Sequence, residues 1–152
     1  MKKTPATYED ARLILRLYDL RREERLRKAR EWFAYRFFPD SFEDVRRIAL
    51  ATGEENAFFR MVTSYWDMAA SFVTHGVLNA ELFLTSAGEM LSVWAKMEPH
   101  AFQYRREFGI PHYLEHVQKT IGAVPWAAER VRLFRERIPR LRERLGERAP
   151  RS

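Results

Sequence analysis

Cysteine is absent from all 152 residues. That removes disulfides, thiolate nucleophiles and cysteine zinc sites together. It fits a reducing compartment, and we expect a cytoplasmic protein. Glycine and proline are few, at six and seven. There is no strand-like alternation of useful length, no Asn-Gly or Asp-Gly pair and no internal repeat, so the usual hairpin signals are missing. No phosphate loop, dinucleotide fingerprint or G-x-S-x-G elbow occurs. No motif asks for a cofactor, and none is expected. The longest uncharged stretch near the centre, Met68 to Ala80, falls short of the ~20 residues a membrane span needs. Met1-Lys2-Lys3-Thr4-Pro5 leads into Thr7-Tyr8-Glu9-Asp10 rather than an apolar run, so no signal peptide is expected.

What is present is grease and arginine. The chain is 46% hydrophobic and 14% aromatic, too apolar to remain disordered. Its length suits one core. We expect a single domain over residues 1–145 and a flexible tail over 146–152. The net charge of +6 is uneven. Residues 1–30 hold ten Lys/Arg against five Asp/Glu, residues 31–127 eight against twelve, and residues 128–152 nine against four. Basic ends around an acidic middle can bind a polyanion, or can attract that middle in the same or another chain.

Apolar spacing predicts an all-α bundle of six or seven helices. The first is expected to run unbroken from Tyr8 to Phe38, capped by Thr7 with Asp10 and supported by the i,i+4 pairs Glu23–Arg27 and Glu24–Lys28. At ~46 Å such a helix exceeds the outline of a compact domain of this size, so it must bend, break or project. Projection would favour a homodimer. Ser41 and Asp44 should cap a short helix over 42–51. A nearly all-apolar helix over 55–74 should form a buried central hairpin with the helix over 80–97, turning at Gly76 to Asn79, with Val77 making the apolar closing contact. An interruption is foreseen near Ser86 to Gly88. Pro99 should end that helix, short helices should follow over 100–108 and 111–121, and Pro139 should kink a last helix over 126–145.

Three sets of residues could carry function. His112-Tyr113-Leu114-Glu115-His116 matches the H-x-x-E-H order of inverted zinc proteases. One helical turn would bring His112 and His116 to one metal, with Glu115 beside them to polarise water. A catalytic site needs a third ligand, and none sits in a supporting motif, so the bland alternative is two histidines on an amphipathic helix. Asp67 is the only charge between Arg60 and Glu81. It is either a functional acid with a raised pKa or a structural carboxylate held by Ser64, Ser71 or a terminal arginine. Arginines make the third set. Arg21, Arg22 and Arg25 on the first helix and Arg137 and Arg144 on the last could contact a partner. The last helix could also follow phosphates, although its arginines alternate with Glu129, Glu136, Glu143 and Glu147.

Phe59-Arg60, Tyr65-Trp66-Asp67-Met68-Ala69-Ala70, Val73, Gly76, Leu78, Leu82-Phe83, Trp94, Arg105-Arg106 and Gly109 resemble an uncharacterised family of short, all-helical bacterial proteins with no assigned activity. The likeness covers roughly Phe58 to Gly122. It implies an all-α fold and brings no catalytic residues. The leading reading is a non-enzymatic module that self-associates or binds a protein. The alternatives are a metal-dependent enzyme using His112, Glu115 and His116, and nucleic-acid binding through the arginine-rich terminal helices.

Overall fold

A computed structural model describes residues 4–148. Among them are eight α-helices and no strand: α1 Tyr8–Arg21, α2 Glu24–Tyr35, α3 Phe42–Leu50, α4 Glu54–Thr74, α5 Ala80–Ser86, α6 Gly88–Glu107, α7 Glu115–Gly122 and α8 Pro125–Arg148. The expected six or seven become eight. The first predicted helix breaks in two. The fourth splits at the foreseen interruption, and its second half fuses with the fifth. None of the described helices is long and apolar enough to cross a membrane. The expected tail begins inside α8, which carries on through Gly146; residues 149–152 lie outside the described residues.

The long N-terminal helix does not project, because Glu23 ends it. Glu23 is extended, with φ −56° and ψ 137°. Its carboxylate accepts from the backbone N–H groups of Arg25 and Leu26 and so opens α2. That use removes it from the expected pair with Arg27, while Glu24–Lys28 forms at 3.3 Å. Two helices of about 21 and 18 Å replace one of ~46 Å. The projecting-helix argument for a dimer therefore falls. The capping box predicted from Thr7 and Asp10 is present, and so is that of Ser41 and Asp44.

Pro99 sits inside α6 rather than ending it. A proline leaves the carbonyl four residues back without its helical donor. Here that carbonyl belongs to Ala95, and Arg135 of α8 donates to it through Nε at 3.1 Å. The same guanidinium pairs with Glu98. A residue 40 positions away thus supplies the missing donor. Arg135→Met should cost about 1–2 kcal/mol for the unpaired carbonyl. Pro99→Ala in that background should recover most of it, since residue 99 then donates to Ala95 itself. Urea titration of the two singles and the double checks this; strictly additive effects would refute it.

The expected α-hairpin about Gly76 is not the centre. The turn itself is as read: Gly76 is left-handed at φ +75°, and Gly76 and Val77 donate to Val73 and Phe72. The apolar closing residue is Leu78, which is buried, whereas Val77 is exposed. After the turn α5 leaves to lie on α1, and α6 packs along α8. The closest backbone neighbours of α4 are α2 and α7. Long aromatic side chains bridge what remains, as in Phe59–Tyr104 and Trp66–Phe83. One continuous core results, with Phe59, Trp66, Leu84, Met90, Leu91 and Met97 fully enclosed.

Candidate functional site

The histidine motif does not form one face. Leu114 adopts left-handed backbone (φ 54°, ψ 25°), and α7 begins only after it, at Glu115. His112 therefore lies outside the helix that carries His116. His112 Nδ1 contacts Glu115 Oε2 at 2.6 Å, and Lys119 Nζ reaches the other oxygen, also at 2.6 Å. Lys119 and then His112 hold the Glu115 carboxyl down at about 2, which leaves it a poor base at neutral pH. His116 instead meets α4: its Nδ1 lies 2.7 Å from Thr74 Oγ1, and its ring is 5.4 Å from that of His75. Among the described residues no three of His, Asp or Glu group so as to hold a metal.

Asp67 is explained by the same irregularity. Leu114 offers α7 no side-chain cap. Asp67 Oδ1 reaches across from α4 and accepts from Val117 N–H at 3.1 Å. Burial raises its pKa, and the backbone N–H groups of Val117 and His116 oppose that rise. The carboxylate is an N-cap supplied by another helix, and it faces the positive end of α7. Its expected partners, Ser64 and Ser71, bond backbone carbonyls of their own helix instead.

Two polar clusters form around Glu89 and Lys96, seven residues apart on one face of α6, with partners far away in sequence. Arg30 of α2 meets Glu89 of α6 through a fork of contacts at 2.8–2.9 Å, and its remaining nitrogen donates to Arg21 O at 3.0 Å, closing the end of α1. Trp66 Nε1 donates to the same carboxylate at 3.2 Å, and Arg21 lies over the Trp66 ring. The second cluster is Lys96, only 7% exposed. Its ammonium donates to the carbonyls of Phe33, Ala34 and Phe37 at 2.6, 3.0 and 2.8 Å and sits 4.0 Å from the Phe38 ring. The space against Arg21 and Trp66 beside the first cluster is about 10 Å³, room for no more than a water.

A cleft of about 1050 Å³ does exist, between the segment Thr4–Thr7, the α4–α5 corner and the turn Ala123–Val124. Among the described residues its walls hold Asp10 and Glu81 as the only carboxylates. Asp10 is committed: backbone N–H groups of Thr7 and Asn79 donate to it at 2.7 and 2.8 Å and hold its pKa down. Among the described residues Glu81 is the one uncommitted carboxylate of the cleft.

The arginines divide. Arg25 pairs with Glu54 and covers Phe58, and Arg21 folds onto Trp66 and Tyr18. Arg22, Arg137 and Arg144 are exposed and make no ion pair among the described residues. The most unusual surface is beside Arg22, on α1. Asp10, Leu13, Ile14 and Leu17 turn this helix to the core. The opposite side carries Tyr8, Leu15 and Tyr18, which are 78%, 66% and 53% exposed. With Ala11 they recur at intervals of three and four along one stripe of the helix.

The chain belongs to the family Domain of unknown function (DUF4760), whose model matches residues 6–122. The resemblance to an uncharacterised family is borne out, and the match takes in α1 to α7 but stops short of α8. No curated protein and no solved structure matches the chain.

Proposed function

We propose that the protein is a helical self-association module whose contact surface is the outer seam of α1. The observation that carries the reading is the exposure of Tyr8, Leu15 and Tyr18 on one stripe of a helix whose other side is anchored in the core. Scattered exposed apolar residues are ordinary; a stripe at heptad spacing is a pairing surface.

A second copy is the partner that fits. Arg12 and Asp19 stand seven residues apart on one flank of the seam. An antiparallel copy centred between Leu15 and Arg16 sets Arg12 against Asp19 of the other chain, and the reverse, and brings Tyr8 within one residue of the level of Arg22, in reach of a cation–π contact. The contact is small. A 14-residue helix covers ~21 Å and buries less than the ~1,200 Å² of standard interfaces. The dimer is therefore weak and concentration-dependent, in the micromolar range or above.

Sedimentation equilibrium from 10 µM to 1 mM tests the reading. The parent chain should shift from monomer to dimer across that range, and Leu15→Glu should stay monomeric. Arg12→Asp should weaken the dimer and Arg12→Asp with Asp19→Arg should restore it. A parent that remains monomeric throughout would sink the proposal.

A further inference from the structure

We infer that the outer edge of α8 binds the phosphate backbone of duplex nucleic acid without reading its sequence. In the linear sequence the arginines of α8 alternate with glutamates, the pattern of an ordinary solvated face. The structure separates most of them, while Glu143 and Glu147 stay exposed at the Arg140 edge without an ion pair among the described residues. Arg132 pairs with Glu129 and Glu136, Arg135 with Glu98, and Arg142 with Asp40. Arg130, Arg137, Arg140 and Arg144 remain exposed and without an ion pair among the described residues. At ~100° per residue these four fall within roughly 80° of one another around the helix, and they span ~21 Å along it. They form a straight row of guanidinium groups, each suited to bidentate phosphate contact.

A second copy of the chain is a poor occupant for this row. The acidic middle that could have attracted it is already in use: between residues 31 and 127, only Glu31 and Glu81 lack an ion pair or side-chain hydrogen bond among the described residues. Glu89, Glu98, Glu107 and Asp40 are all taken by arginines of the same chain. A lipid surface fits less well, because a helix lying on a membrane needs exposed apolar side chains beside its charges. Here Ala127 and Val131 are buried, Phe134 packs against the core, and no large apolar residue of α8 is exposed. A single strand would want aromatic rings to stack its bases, and the row has none exposed. A duplex presents one charge per ~1.7 Å, so ~21 Å of helix meets about a dozen charges. The surface is distinct from the α1 seam and stands or falls separately.

Fluorescence anisotropy of the full chain with a mixed-sequence 20-base-pair DNA duplex, from 50 to 300 mM KCl, tests the inference. Four phosphate contacts give a log–log salt slope of about −3.6, or a roughly hundredfold loss of affinity between 50 and 200 mM. Arg130→Gln, Arg137→Gln, Arg140→Gln and Arg144→Gln should each make the slope shallower by about 0.9, and the quadruple variant should abolish salt-dependent binding. Arg27→Gln, on α2, should leave it unchanged. Matching circular dichroism keeps misfolding apart from lost contacts. Absence of binding at 50 mM, or a slope indifferent to the four substitutions, would overturn the inference. So would tighter stripe-dependent binding to a single strand, or to vesicles containing phosphatidylserine, than to the duplex.

Discussion

Lys96→Met should destabilise the fold by about 3 kcal/mol, the cost of leaving buried carbonyls without a donor. For a domain of this size that lowers the melting temperature by roughly 6–12 °C. Methionine keeps the length and greasiness of the side chain, so the loss reports the ammonium alone. Lys96 lies on α6, yet its contacts are Phe33 O, Ala34 O and Phe37 O at the end of α2. The last carbonyls of a helix lack intrahelical donors and carry its negative end. Lys96 satisfies them from a neighbouring helix, with the face of Phe38 covering the charge. The pH dependence provides a second check. Burial, with a smaller push from Arg142, pulls the amine down to about 7, while an unfolded lysine titrates near ~10.4. Between those values the unfolded chain holds a proton that the folded chain has released. Stability should therefore rise as pH climbs from 7 towards 10. In Lys96→Met this rise should vanish. A parent whose stability is flat over that window would refute the account.

Local signals were legible in the sequence and long-range polar partners were not. The capping boxes at Thr7 and Ser41, the left-handed Gly76 and the bounds of α4 follow from short-range chemistry and were read within a residue or so. Pro99 was misread because its consequence, a bare Ala95 carbonyl, is cancelled by Arg135, 40 positions away. The His112–His116 spacing misled for the opposite reason. A helical face was assumed across Leu114, a branched residue with no sequence mark of the left-handed backbone it adopts. The helix that starts after it is capped by Asp67 from α4. Asp67 was conspicuous as a lone charge in an apolar helix, but its partner is a backbone amide, which no side-chain pattern can reveal. The arginines of α8 likewise read as a mixed row until Glu98 and Asp40, far away in sequence, are seen to take two of them.

Glu89→Ala should cost about 2–3 kcal/mol, close to the loss of Lys96, and should weaken the proposed α1 dimer as well. Glu89 of α6 joins four helices at one point: Arg30 of α2 and Trp66 of α4 donate to it, and Arg30 also donates to the Arg21 carbonyl at the end of α1. The side chains of Arg30 and Glu89 are only 25% and 24% exposed. Removing the carboxylate strands a largely covered guanidinium and an indole N–H, and breaking such a pair costs about 3–5 kcal/mol when fully buried, less here. Glu89→Gln should be milder, since the amide oxygen still accepts from Trp66. Arg30→Met with Glu89→Leu should cost well under the sum of the single changes, because it leaves no unpaired charge behind. The effect should spread unevenly. α1 packs on α5, accepts at Leu17 O from Tyr65 of α4, and is closed at its Arg21 end by this junction, so amide exchange toward the Arg21 end of α1 should quicken in Glu89→Ala before exchange in α4 does. A dimer built on the α1 seam needs that helix held in place. Glu89→Ala should then raise the dimer dissociation constant although Glu89 never touches the partner, whereas Lys96→Met, of similar cost but at the end of α2, should leave association intact below its melting temperature. Equal effects of the two on dimerisation would show that α1 is not the contact, even if both destabilise the fold as expected.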